Sequence, residues 1–283
     1  MASGVLTDQE VKEYQKKGYI LARRFFDEEE IGLLRRAAKE DRALDEKSFS
    51  RADGAGGNVR LSLWNHPGDS VYGMFARCES IVNSAEKLLG GEVYHYHSKM
   101  IMKDQKVGGA WAWHQDYGYW YQNGVLFPLL CSVFIAVDPA VRENGCMQVV
   151  EGSHELGRLD HTLTGDQAGA DVDRVNEVLK RLPLIYVEMQ PGDALFFHSN
   201  LLHRSDRNRS ENPRWSMICC YNAARNDPYK ESHHPCYTPL RKVPDSAIKE
   251  AGLRRFADST SDVAWLEPAK DQSARSLKKE SSP

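Results

Sequence analysis

The chain has 283 residues, 41% of them apolar and 10% aromatic, enough to bury a substantial core in one large domain. A formal net charge of -3 excludes the basic excess expected of a general nucleic-acid binder. No apolar run is long enough to cross a membrane and none near the start reads as a signal peptide, so a soluble, cytoplasmic protein is expected.

Thr7 with Glu10 has capping-box spacing for a first helix that ends near Gly18, and a short strand is expected over 19–21. Asp27 with Glu30 repeats the start signal, and Ile31, Leu34, Ala37 and Ala38 fall on one face of a second helix. The stretch Arg51-Ala52-Asp53-Gly54-Ala55-Gly56-Gly57 reads as a surface loop, placed where it can cover a site. A third helix fits 80–89, closed by Gly90-Gly91. From there the periodicity changes to that of strands, expected over 92–103, 129–137, 148–150, 184–188, 194–198 and 215–222, with a helix inserted over 166–181. Many short strands separated by turns such as Pro191-Gly192-Asp193 imply a barrel or sandwich. One domain over 1–258 is expected, followed by a polar, loose tail over 259–283 on which Trp265 and Leu266 are the docking candidates. Six cysteines form no CxxC pair and read as reduced, mostly buried thiols.

The chemistry concentrates at His114, Gln115, Asp116, His203 and Arg214. A histidine and a carboxylate two residues apart share one face of an extended strand, so both can reach one metal ion. With a distant second histidine they make the two-imidazole, one-carboxylate face that leaves positions open on ferrous iron for cosubstrate and oxygen. Two histidines compete for the third place, His198 and His203. The position of Arg214 favours His203: His203, Ser205 and a guanidinium eleven residues on can meet if the chain turns over 208–213 and returns as a neighbouring strand. The planar fork of arginine suits a carboxylate. An HxD pair alone is weak evidence, and for Arg214 alone a surface ion pair would be the plainer reading. Context strengthens both, because Trp111, Trp113, Tyr117, Tyr119 and Trp120 surround the pair as the walls of a cleft. His95 and His97 form a rival strand-spaced pair without a carboxylate and read as hydrogen-bonded core or substrate-contact residues. His233 and His234 read as loop residues.

These residues, in this order, resemble the phytanoyl-CoA dioxygenase family of non-haem iron, 2-oxoglutarate-dependent enzymes. The resemblance runs from Gly18-Tyr19-Ile20 through His114-Gln115-Asp116, Glu143-Asn144-Gly145-Cys146, Gly152-Ser153-His154 and Pro191-Gly192-Asp193 to His203, Ser205 and Arg214. It implies a mainly β fold, a double-stranded β-helix (jelly-roll, cupin-like) with N-terminal and inserted helices packed outside. It implies His114, Asp116 and His203 as catalytic iron ligands, which sets His198 aside, and Arg214 with Ser205 as the anchor of the cosubstrate's C5 carboxylate. Ser132, Phe134, Lys99, Trp111 and Lys103 match cosubstrate-contacting positions, and His97, Tyr117, Trp120 and Asn222 are the substrate candidates. The implied cofactors are Fe(II), 2-oxoglutarate and O2, with ascorbate in support; the partner is a small-molecule substrate, amino-acid-like or zwitterionic, with its cation caged by aromatic rings. The implied reaction releases succinate and CO2 and hydroxylates an unactivated C–H bond. Asp116 stands where related halogenases carry a small residue, which favours hydroxylation; a halogenase or desaturase variant on the same scaffold is a further alternative. The alternative from another class is a non-catalytic metal-binding jelly-roll or sensor.

Overall fold

The computed structural model describes residues 4–257 and 264–271. Helix α1, Asp8–Lys17, starts at the expected box, with Thr7 and Glu10 each satisfying the other's backbone N–H, and stops at Gly18, whose φ of 84° is left-handed. Strand β1, Tyr19–Ala22, follows. Helix α2, Glu28–Glu40, repeats the box through Asp27 and Glu30 and buries Ile31, Leu34, Ala37 and Ala38. Then come α3, Arg42–Glu46, and the hairpin of β2, Phe49–Ala52, with β3, Asn58–Trp64. Arg51 and Ala52 thus lie in a strand, and the loop is confined to 53–57, where the Asp53 carboxylate accepts from the N–H groups of Ala55 and Gly57.

Helices α4, Val71–Arg77, and α5, Glu79–Leu89, precede the long strand β4, Val93–Lys103. After it come β5, Trp111–His114, and the single-turn helix α6, Asp116–Trp120. The remaining strands are β6, Leu130–Ala136, β7, Met147–Val150, β8, His161–Thr164, and β9, Gln167–Ala170. Helix α7, Val172–Leu179, leads to β10, Leu184–Val187, β11, Ala194–His198, β12, His203–Ser205, and β13, Arg214–Ala223. Helix α8, Ser246–Ala257, comes last. The helix expected over 166–181 is shorter, because Gln167–Ala170 pairs with β8 as a hairpin and the Gln167 amide bonds Ala112 N and Ala110 O beside β5. The helix begins only after the Asp171 cap.

The strands form a seven-stranded sheet, order β1-β11-β6-β13-β4-β3-β2, and a four-stranded sheet, order β10-β7-β12-β5, both antiparallel throughout their ladders. This is the expected jelly-roll, with the helices outside. Strand alternation assigns the core. In β6, Cys131, Val133 and Ile135 join the cluster under the helices, while Leu130, Phe134 and Ala136 join the cluster containing Met147, Val149 and Val187 of the small sheet. Arg214 therefore does not return beside His203 as a neighbouring strand. Strand β12 belongs to the small sheet and β13 to the large one, so the two residues meet across the interior of the sandwich.

One irregularity in β4 positions the site. Its register with β13 slips between Cys220 and Tyr221, so Tyr96 has no direct partner there. A bulge of this kind shifts side-chain phase by one. Beyond it His97, Lys99, Ile101 and Lys103 turn inward in a row, while Met100 and Met102 join the helix-side core.

The segment 264–271 packs on the body. Trp265 lies edge-on to Trp64 with ring centroids 5.1 Å apart, Leu266 N donates to Leu63 O, and Asp271 pairs with Arg51. The docking candidates Trp265 and Leu266 are thus both engaged; 259–263 and 272–283, the rest of the expected tail, lie outside the described residues. Among the described residues no helix is long and apolar enough to cross a membrane.

Candidate active site

His114 ends β5 and His203 starts β12, and the two are register partners with ring centroids 4.1 Å apart. The chain does not continue as a strand to Asp116, which is the first residue of α6. Gln115 between them is still extended, φ -108° and ψ 133°, so the two-residue alternation carries the carboxylate to the same side as His114. The Gln115 side chain points the other way and is locked: its amide donates to Asn200 O and Gly157 O and accepts from Leu159 N. Its backbone N–H donates to His161 Nε2, and Gly118 leaves room for that imidazole beneath α6, where a Cβ would overlap the ring.

The three groups converge. One ligand atom from each of His114, Asp116 and His203 lies within 4.8 Å of the others, and all three residues are buried. Both imidazoles face inward in the tautomer a metal needs. Each Nδ1 donates to the carbonyl two residues upstream, Ala112 O at 2.7 Å and Leu201 O at 2.9 Å, leaving the Nε2 lone pairs free of protons. Burial, then the neighbouring His203, holds the His114 pKa well below its ordinary value, so the ring is neutral. Burial raises the Asp116 carboxyl, but His203, Lys99, His114 and the Tyr119 hydroxyl outweigh it and the net shift is downward. Tyr119 donates to one carboxylate oxygen at 2.6 Å and Ser132 to the other at 3.0 Å. Two neutral nitrogens and one oriented carboxylate are a donor set for ferrous iron.

The cavity at this trio is also lined by Lys99, Lys103, Trp111, Phe134, Ser205 and Arg214. Arg214 and Lys103 are direct cross-strand partners on β13 and β4. The Lys103 ammonium donates to Ser205 Oγ at 2.9 Å and to the Asp206 carbonyl. Arg214 is 3% exposed, and its Nε and Nη1 have no hydrogen-bond partner. Burial pulls its guanidinium down to about 10, still charged at neutral pH. Burial and then the Arg214 charge hold the Lys103 pKa well below its ordinary value. Such a pair, closed from water and without an ion pair among the described residues, is suited to receive an anion. Along β12, His203 and Ser205 stand about 6.6 Å apart by strand rise, a span a five-carbon dicarboxylate bridges from the metal trio to the cations.

The structure leaves three expected contacts outside the lining. Ser132 is spent on Asp116 and Cys220. The Tyr117 hydroxyl donates to Leu126 O, and Asn222 is held by Tyr94 and Asn226 at the far end of β13. His198 accepts from Asn200 N beside the Tyr14 and His154 rings, away from the trio. His95 is a core residue bonded to Asn65 O and Ser98 Oγ. His97 and Trp120 do line a second cavity next to the first, with His234, a loop residue as expected and buried, stacked on His97 at 4.4 Å. Roles not foreseen are those of Arg51 in that second cavity, of Tyr119 as a buttress of Asp116 and of Gln115 with His161 as a lock. Tyr119 follows Asp116 by three residues on a helical turn, a spacing that brings side chains together.

The profile of the phytanoyl-CoA dioxygenase (PhyH) family matches residues 14–216. The L-proline trans-4-hydroxylase of Streptomyces griseoviridis is 30% identical over 204 residues, 66% of this chain and 75% of the relative. The methylphosphonate hydroxylase of Gimesia maris is 32% identical over 238 residues, 81% of this chain and 85% of the relative. The crystal structure of EctD from S. alaskensis with 2-oxoglutarate and 5-hydroxyectoine aligns with a TM-score of 0.71 at 22% identity, covering 87% of this chain and 90% of that one, a likeness of fold. The chain belongs to the phytanoyl-CoA dioxygenase family and is a 2-oxoglutarate-dependent non-haem iron dioxygenase.

Proposed function

We propose that this enzyme holds Fe(II) through His114, Asp116 and His203, receives the C5 carboxylate of 2-oxoglutarate on Arg214, Lys103 and Ser205, and hydroxylates a small metabolite in the adjoining cavity. The observation that carries the reading is the buried Arg214 guanidinium with unpartnered nitrogens, in the same cavity as the metal trio. When bound, iron with 2-oxoglutarate and O2 supplies the oxidant for an unactivated C–H bond. The protein's part is positioning. Ser132 and Tyr119 fix the Asp116 carboxylate, the Ala112 and Leu201 carbonyls fix the imidazoles, and Phe134, Phe197 and Ile218 keep the interior apolar and dry. With Asp116 present, the carboxylate occupies the place a halide would need, which supports hydroxylation.

The relatives act on small polar molecules by name, proline and methylphosphonate, which supports a substrate of that size. The test is release of succinate from 2-oxoglutarate under Fe(II), O2 and ascorbate, with a gain of one oxygen in the product. Asp116→Ala is expected to remove both. Metal binding by the wild-type protein without any succinate would instead support a binding module.

A further inference from the structure

The second cavity, walled by Arg51, Leu63, His97, Tyr119 and Trp120, shares Lys99 and Trp111 with the first. Its space is small, which limits the ligand to a small molecule. The polar groups in its wall are one-sided. Lys99 is 8% exposed and has no hydrogen bond or ion pair among the described residues. Arg51 gives Nη2 to Asp271 and retains further N–H donors. Trp120 Nε1 and His97 Nδ1 are buried without a partner. The Trp111 indole donates to His114 Nε2, at 3.2 Å, the very lone pair a metal would take, so metal loading leaves that N–H in need of another acceptor. No Asp or Glu lines this cavity among the described residues. Lys99 lowers the Asp116 carboxyl through its charge but makes no ion pair with it, and Asp116 faces the first cavity, so a cationic ligand in the second would meet like charge at Lys99. The cation cage expected from the aromatic residues is disfavoured on that ground.

We propose that the second cavity recognises its substrate through a small oxyanion, a carboxylate or a phosphonate, seated on the Lys99 ammonium with Arg51 and the Trp111 and Trp120 indoles as further donors. Lys99 is then a specificity residue for the acid end of the substrate, and Arg214, Lys103 and Ser205 serve the cosubstrate without it. The proposal rests on reading the first cavity as the 2-oxoglutarate site.

The test uses protein loaded with Mn(II) and 2-oxoglutarate without oxygen, titrated in a calorimeter with methylphosphonate, ethylphosphonate, propionate and L-proline. Neutral dimethyl methylphosphonate and the tetramethylammonium cation are the controls. A companion assay follows 2-oxoglutarate consumption by the Fe(II) enzyme in air. At least one acid is expected to bind and to accelerate consumption while the controls do neither; the phosphonate and carboxylate arms separate the two chemistries. Lys99→Met is expected to weaken that acid about 10- to 100-fold, the range for a hydrogen bond to a charged group, and to leave 2-oxoglutarate affinity within a few-fold. Lys99→Arg should recover part of the loss, which a merely structural role would not produce, and thermal melts check that both variants fold. Binding of no acid, equal binding of a control, or a Lys99→Met defect in 2-oxoglutarate rather than in the acid would each overturn the proposal. If the wild-type protein fails to bind 2-oxoglutarate at all, the reading of the first cavity falls and this one with it, whereas failure of the acids alone removes only this one.

Discussion

Lys103 and Arg214 face each other directly across β4 and β13, two buried basic side chains in register. Like charges in directly opposed positions repel, so the pair is held at a cost that an incoming dicarboxylate would relieve. Arg214→Met is therefore expected to weaken 2-oxoglutarate binding by at least about 10-fold in calorimetry of the Mn(II)-loaded protein. The ligand-free variant should melt at the same temperature or higher, since replacing a buried charge by an apolar side chain is neutral or stabilising by about 1–4 kcal/mol. A variant that melts much lower yet keeps its affinity would make Arg214 a structural residue.

The same pair predicts proton uptake. Burial and the Arg214 charge hold the Lys103 pKa well below its ordinary value, and a carboxylate beside it raises that value again. Between the two values the free site lacks a proton that the bound site holds. At a pH between the two values, located by repeating the titration over a pH series, the binding enthalpy should vary with buffer ionisation enthalpy in the sense of uptake. Lys103→Met should lose the dependence; proton release by the wild-type protein would contradict the assignment.

Metal loading should be visible as stability. The trio is brought together by β5, α6 and β12, and binding to the native state alone stabilises by about 2.7 kcal/mol at a hundredfold excess over Kd. Chelation should therefore lower the melting temperature, and Mn(II) or Fe(II) restore it. Asp116→Ala should be indifferent to both. A chelator-insensitive wild-type protein would speak against the site.

Acid should unfold the protein early. Burial pushes His95, His161 and His198 each down to about 4, against an ordinary value near 6.5. Between about 4 and 6.5 the unfolded chain holds protons on these rings that the native chain refuses. Stability is thus complete above about 6.5 and falls as pH drops toward 4, by roughly 1.4 kcal/mol per ring for each pH unit within that window. Denaturant midpoints measured from pH 7 to pH 5 should fall steadily; a flat profile would show that the rings titrate normally.

The capping boxes at Thr7 and Asp27 and the stop at Gly18 were legible because a cap is a local event, three or four residues completing one another's hydrogen bonds. The hairpin β8–β9 was not. Gln167–Ala170 carries few β-forming residues and is a strand because Gln167 is tied to Ala110 and Ala112 far along the chain. Strands β5 and β12, four and three residues long, are too short for periodicity to reveal, yet they carry the two histidines.

The chemistry of the centre could be read from residue types and spacing: the trio, Ser205 and Arg214 all line the cavity. What needed three dimensions was every choice among like residues. Of four lysine and histidine candidates on β4, the bulge at Tyr96 turned His97, Lys99 and Lys103 inward together and left His95 in the core. A change of sheet, not of strand, brought Arg214 opposite Ser205. Tyr117, Ser132 and Asn222 have suitable side chains but point them at Leu126, Asp116 and Tyr94. Metal-ligand chemistry depends on residue identity, which is written along the chain. Side-chain direction depends on register, and register is decided by contacts between segments far apart in it.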